Sequence, residues 1–185
     1  MIEIKLGDRY AKSILQLAEE RKEVERIHQD FELIEATCES NPDFLNMLRS
    51  PLISSDKKQT ILDLVFKGKL AEMTKQLIEI IVRKKRERYL YDIAVRFGEL
   101  YDRTHNITRG ILTSAAPLSE EQRKTIKEMV EKQLQTTFKM EEKIDPELIG
   151  GFTLKVGDLL FDGSTSARLR DLKKEFLSNP YVKKV

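Results

Sequence analysis

The sequence is short of the residues that do chemistry: one Cys, two His and no Trp in 185 residues. A single cysteine cannot close an internal disulfide, which excludes a disulfide-stapled scaffold and fits a reducing compartment. One Cys and two His are too few for a dedicated zinc site. Histidine-dependent catalysis has only His28 and His105 to draw on. No apolar run approaches the roughly 18 residues of a membrane-spanning helix. The opening MIEIKLGDRY has no signal-peptide core and is not the acid-poor start of a transit peptide. Aromatics are scarce, with five Tyr and eight Phe. Lys plus Arg number 33 and Asp plus Glu 31, too even a balance to draw nucleic acid or a membrane surface strongly. What is plentiful is charge of both signs, 35% of residues against about 25% in an average chain. These features describe a soluble, helix-rich protein with a highly charged exterior and little catalytic equipment.

Glycine is unevenly spread. Four of eight lie between Gly150 and Gly163, and only Gly7, Gly68 and Gly98 precede Thr108. The Gly-poor part reads as six helices. Tyr10, Ile14, Leu17 and Ala18 form one helical stripe, with Asp8 as its expected cap. Val24, Ile27, Phe31, Ile34 and Cys38 form the next seam. Asn41-Pro42 restarts the chain as an N-cap with proline at the first helical position, and Ser50-Pro51 ends that short helix. A fourth helix begins at Ser54–Asp56 and carries Ile61, Leu62, Leu64 and Val65. A fifth carries Leu70, Met73, Leu77, Ile80, Ile81 and Val82, and a sixth Leu90, Ile93, Ala94, Phe97, Leu100 and Tyr101. No such helix covers its own apolar face, so together they imply a bundle.

Beyond His105-Asn106 the pattern changes. Ile107–Ser114 reads as a strand, and Ser119 with Gln122 as a capping box opening a helix. Phe138, Met140 and Ile144 suggest a second strand, and the alternation of Phe152, Leu154 and Val156 a third. Gly157-Asp158 turns the chain into Leu159–Phe161, and Gly163-Ser164 opens a last helix with Leu169, Leu172 and Phe176. The tail from Asn179 is expected to fray. The fold class is therefore mainly α in two domains: a six-helix bundle over 1–105, then a small α/β domain over 106–185.

The candidate sites are weak. Gly150, Gly151 and Gly157 match neither phosphate-binding glycine motif and suit tight connections. Five cations in Arg83–Arg88 suit a helix C-terminus and its turn, or an acidic partner. Cys38 is expected to be a buried thiol, His28 to face outward, and His105 to mark the boundary. Asp158 and Asp162 are expected in turn and cap duty. Two rival functions are a nucleic-acid-binding helical protein using residues 83–88 and a small enzyme using Asp158 and Asp162.

The run from Ile144 through Gly150-Gly151-Phe152, Gly157-Asp158, Asp162-Gly163-Ser164 and Arg168-Leu169 resembles a signature of the delta subunit of F-type ATP synthase. That family includes the mitochondrial oligomycin-sensitivity-conferring protein. Arg9–Ile14, Asn41-Pro42 and Ser50–Ile53 resemble its opening helix and its short third helix and turn. Thr165 and Ala167 depart from it, standing where many members carry an aliphatic residue and a glycine. The resemblance implies a subunit with no active site and no cofactor or metal. It implies a bundle that grips an N-terminal helix of the alpha subunit between its first and fifth helices. Here those helices offer Tyr10, Ser13, Ile14 and Leu17, with Leu77, Ile80, Ile81 and Lys84. The second domain is implied to bind the b subunits. The whole then resists rotational torque during proton-driven ATP synthesis, reaching the cytoplasmic face of the bacterial inner membrane, or as the second choice a plastid thylakoid surface, only through its complex. No nucleic-acid partner is implied.

Overall fold

The computed structural model describes residues 2–178, and the chain divides into two compact units between His105 and Asn106. The expected fraying from Asn179 lies outside the described residues, as do the side chains of Leu172 and Phe176.

The first unit is built from α1 (Ile2–Arg21), α2 (Val24–Ser40), α3 (Pro42–Arg49), α4 (Ser55–Val65), α5 (Glu72–Arg83) and α6 (Leu90–Thr104). A single 3₁₀ turn over Glu87–Tyr89 leads into α6. Helix α6 packs against both α1 and α2. Its Ile93, Ala94 and Phe97 are sealed from solvent, and Phe97 stacks on Phe31 of α2 with ring centroids 4.6 Å apart. The larger of these, Ile93, Phe97 and Phe31, each contribute about 1.5–3 kcal/mol of burial, which fastens helices that would be marginal alone. Asn41 caps α3 as its sequence suggests, its side chain accepting from the Phe44 amide at 3.1 Å.

Three expectations need correction. Helix α1 begins at Ile2, so Asp8 is no cap; it lies within the helix, 3.6 Å from Arg96 of α6. Leu64 is 68% exposed and belongs to the outer face of α4, where Leu62 and the following Phe66 fill the core. His28 is buried: its ring stacks 3.7 Å from that of Tyr101, and its Nε2 lies 3.2 Å from Glu32 Oε1. The buried face of α2 is simply wider than its aliphatic stripe, because Tyr101 offers an aromatic wall.

The second unit is a four-stranded sheet in the order β2-β1-β3-β4, with β1 Ile107–Ser114, β2 Thr137–Ile144, β3 Phe152–Val156 and β4 Leu159–Asp162. β1 and β2 run parallel, joined by the crossover helix α7 (Glu120–Leu134); β3 and β4 form an antiparallel hairpin. The Ser119–Gln122 capping box of α7 is complete, with bonds of 3.3 and 2.9 Å. Leu112, Phe138, Leu154 and Val156 make the core with Ile126 and Val130 of α7. Gly110 is dictated by this packing, since a Cβ there would stand 2.7 Å from the Phe138 ring. Helix α8 (Thr165–Ser178) follows the hairpin.

Candidate functional site

Helices α1 and α5 each carry two apolar stripes about one residue apart in phase. On α5, Thr74, Ile78 and Ile81 face the core, while Met73, Leu77 and Ile80 step by four and three along an adjacent line. On α1, Ala11, Leu15 and Ala18 are buried, and Tyr10, Ser13, Ile14 and Leu17 border the same space. Between them lies a largely apolar groove of about 330 Å³, floored by Ile27 of α2. Leu17 and Ile80 stand on its two walls, 40% and 41% exposed.

The structure therefore brings together Tyr10, Ser13, Ile14, Leu17, Leu77 and Ile80. It does not bring in the other two candidates. Ile81 is wholly inaccessible and belongs to the core, one residue and about 100° around the helix from Ile80. Lys84 is the C-terminal cap residue of α5 and lines a separate cleft.

Residues that the sequence did not assign to the groove fix its shape. Arg86 closes one end: its Nη1 donates to the Tyr10 hydroxyl at 2.9 Å, and its guanidinium lies 5.8 Å from the centre of the Tyr10 ring. Asp30, on α2 and 2% exposed, accepts from the Thr74 hydroxyl at 2.6 Å and the Ala71 amide at 2.7 Å. Ala71 is the N-cap position of α5 and has no capping side chain of its own. A carboxylate from another helix thus satisfies the start of α5. The only sequence signal was an acid placed beside Phe31 in an apolar seam.

The other candidates have structural settings. Cys38 is buried, and desolvation pushes its thiol up to about 11, which keeps it protonated and unreactive at neutral pH. Asp158 is exposed in the β3–β4 turn. Asp162 accepts from the Ser164 amide at 3.0 Å, and Arg170 lies 3.1 Å away. Hydrogen bonding from Ser164, helped by Arg170, holds the Asp162 carboxyl below the usual range. Ser164 caps α8 through its hydroxyl, 3.2 Å from the Ala167 amide. Gly150, Gly151 and Gly157 all take positive φ, and a Cβ on Gly151 would stand 2.4 Å from the Gly163 carbonyl oxygen. Arg168 and Leu169 are exposed on α8, as are Leu159, Leu160 and Phe161 on the edge strand β4. Among the described residues no cluster of His, Cys, Asp or Glu is arranged to hold a metal, and no helix is long and apolar enough to cross a membrane.

Relatives and a solved structure match this chain over nearly its full length. A delta subunit of ATP synthase from Christiangramia forsetii is 34% identical over 179 residues, covering 97% of each chain. One from Brevibacillus brevis is 31% identical over 164 residues, covering 89% of this chain and 94% of the relative. A chain in the Toxoplasma gondii mitochondrial ATP synthase hexamer superposes with a TM-score of 0.67 at 25% identity, covering 94% of this chain and 98% of that one. The family model for the ATP synthase delta (OSCP) subunit matches residues 6–176. With a helical unit, a small α/β unit and this match across both, the chain belongs to the ATP synthase delta (OSCP) subunit family.

Proposed function

We propose that this chain is a non-catalytic joint in the peripheral stalk of F-type ATP synthase. Its helical unit, residues 1–105, seats the N-terminal helix of an alpha subunit in the groove between α1 and α5. Its α/β unit, residues 106–185, holds the C-terminal ends of the b subunits. Together they keep the catalytic head from turning with the central shaft, at the cytoplasmic face of the bacterial inner membrane. The observation that carries this reading is the groove itself, lined on both walls by apolar side chains at helical spacing, with Leu17 and Ile80 exposed on them. An amphipathic helix laid in such a groove buries a stripe of its own at matching spacing. For the b subunits, the support is apolar surface left open on β4 and at Leu169 of α8.

The test is recovery of the tagged full-length chain from membranes of its native cell, followed by identification of what comes with it. Alpha and b subunits together are expected. Recovery of alpha without b would remove the role given to the α/β unit, and b without alpha would remove the role given to the groove.

A further inference from the structure

The cations of residues 83–88 are not absorbed by the groove. Lys84, Lys85 and Arg88, with Arg86, line a second concavity of about 890 Å³ at the α5–α6 turn. The other side comes from Arg49 at the end of α3, the α3–α4 turn and the start of α4. We propose that this cleft docks an acidic segment of a protein partner.

The charge arithmetic supports it. Residues 1–105 hold 19 cations and 19 anions, so the unit as a whole is neutral. The cleft is not: its acids are Asp56 and Glu87, and Glu87 is already paired with Lys58 at 3.0 Å. Arg49, Lys84 and Lys85 are exposed and make no ion pair among the described residues. The macrodipole accounts for a basic residue in the last turn of one helix. It covers Arg49 in the last turn of α3 and Lys84 at the end of α5, but not Lys85 and Arg88 beyond that end, nor the convergence of both helix ends on one hollow. The start of α4 adds to the field, because the Ser54 side chain makes no capping bond to the first amides.

The walls favour a peptide over a nucleic acid. Leu6, Pro51 and Ile53 give apolar footing between the charges, whereas bases need an open aromatic face. The aromatic residue in the cleft, Tyr89, is buried, and the Arg88 guanidinium covers its ring at 4.4 Å. The occupant inferred is therefore a segment rich in Glu or Asp with interspersed apolar residues, held by charges that salt screens.

The test uses the full-length chain and a fluorescent peptide of alternating Glu and Leu, followed by anisotropy at low ionic strength. Binding is expected, with backbone amide shifts in NMR concentrated over residues 49–58 and 84–89. The double variant K84E/K85E should bind about tenfold more weakly, and K84Q/K85Q should lie between it and the parent. Both substitutions sit on exposed side chains, and circular dichroism checks that the helices are retained. Equal affinity in K84E/K85E would overturn the proposal. So would shifts confined to groove residues such as Leu17 and Ile80, or tighter binding of a single-stranded oligothymidylate than of the peptide.

Discussion

Lys58 Nζ lies 3.0 Å from Glu87 Oε1 with both side chains almost sealed from solvent, 3% and 8% exposed. The ammonium also donates to the Leu48 carbonyl oxygen at 2.8 Å, so one lysine ties together the end of α3, the body of α4 and the turn into α6. Breaking a buried pair from one side leaves an uncompensated charge, whereas replacing both partners removes the problem.

Lys58→Met alone is therefore expected to destabilise the chain by about 3–5 kcal/mol, and the double variant Lys58→Met with Glu87→Leu by much less. Urea unfolding of the parent, both single variants and the double variant measures the cycle. Additive losses would show that the two side chains do not act as a pair.

Ile80 and Ile81 are neighbours with opposite fates. Ile80→Asp should leave the fold intact and weaken binding of a peptide carrying the alpha subunit N-terminus by about 10- to 100-fold, the worth of one apolar anchor. Ile81→Asp should instead buries a carboxylate in the core and lower the unfolding midpoint sharply. Calorimetry with the full-length chain, paired with thermal unfolding, separates the two. Unchanged peptide affinity in Ile80→Asp would remove the groove as the binding site.

At alkaline pH two buried groups act in the same direction. Tyr101 is pushed up to about 12, chiefly by desolvation and then by Glu25, whose carboxylate accepts from its hydroxyl at 2.8 Å; Cys38 is pushed up to about 11. Between the unfolded and folded values the native chain holds protons that the unfolded chain has released. Stability is thus fully present below about pH 8.5 and falls as pH rises through about 11 and 12. Denaturant midpoints across that range should decline. In Tyr101→Phe the decline should be shallower, and a slope identical to the parent would exclude Tyr101 as a source.

Much of the fold was legible because its signals are local. The stripes of α2 and α6, the Asn41-Pro42 start, the capping box and the alternation of β3 all lie within a few residues of what they specify. The groove was legible in part for the same reason, since Tyr10, Ile14 and Leu17 share one helical line. What the sequence hid was either phase or distance. Ile80 and Ile81 differ by one helical step, which an apolar pattern running from Leu77 to Val82 does not resolve. Asp30 reaches Thr74 across 44 residues and Lys58 reaches Glu87 across 29, so nothing near either residue announces its partner. His28 was misplaced because its burial depends on Tyr101, supplied by a helix much later in the chain.

Asp30 has one more consequence. By holding the Ala71 amide and the Thr74 hydroxyl, it fixes the first turn of α5, and with it one wall of the groove, before any occupant arrives. If a helix docks there as proposed, a wall already held in place loses little conformational freedom on association, so most of the ordering cost falls on the incoming helix. In the proposed stalk role, a wall braced in this way would leave little slack to take up when load is applied.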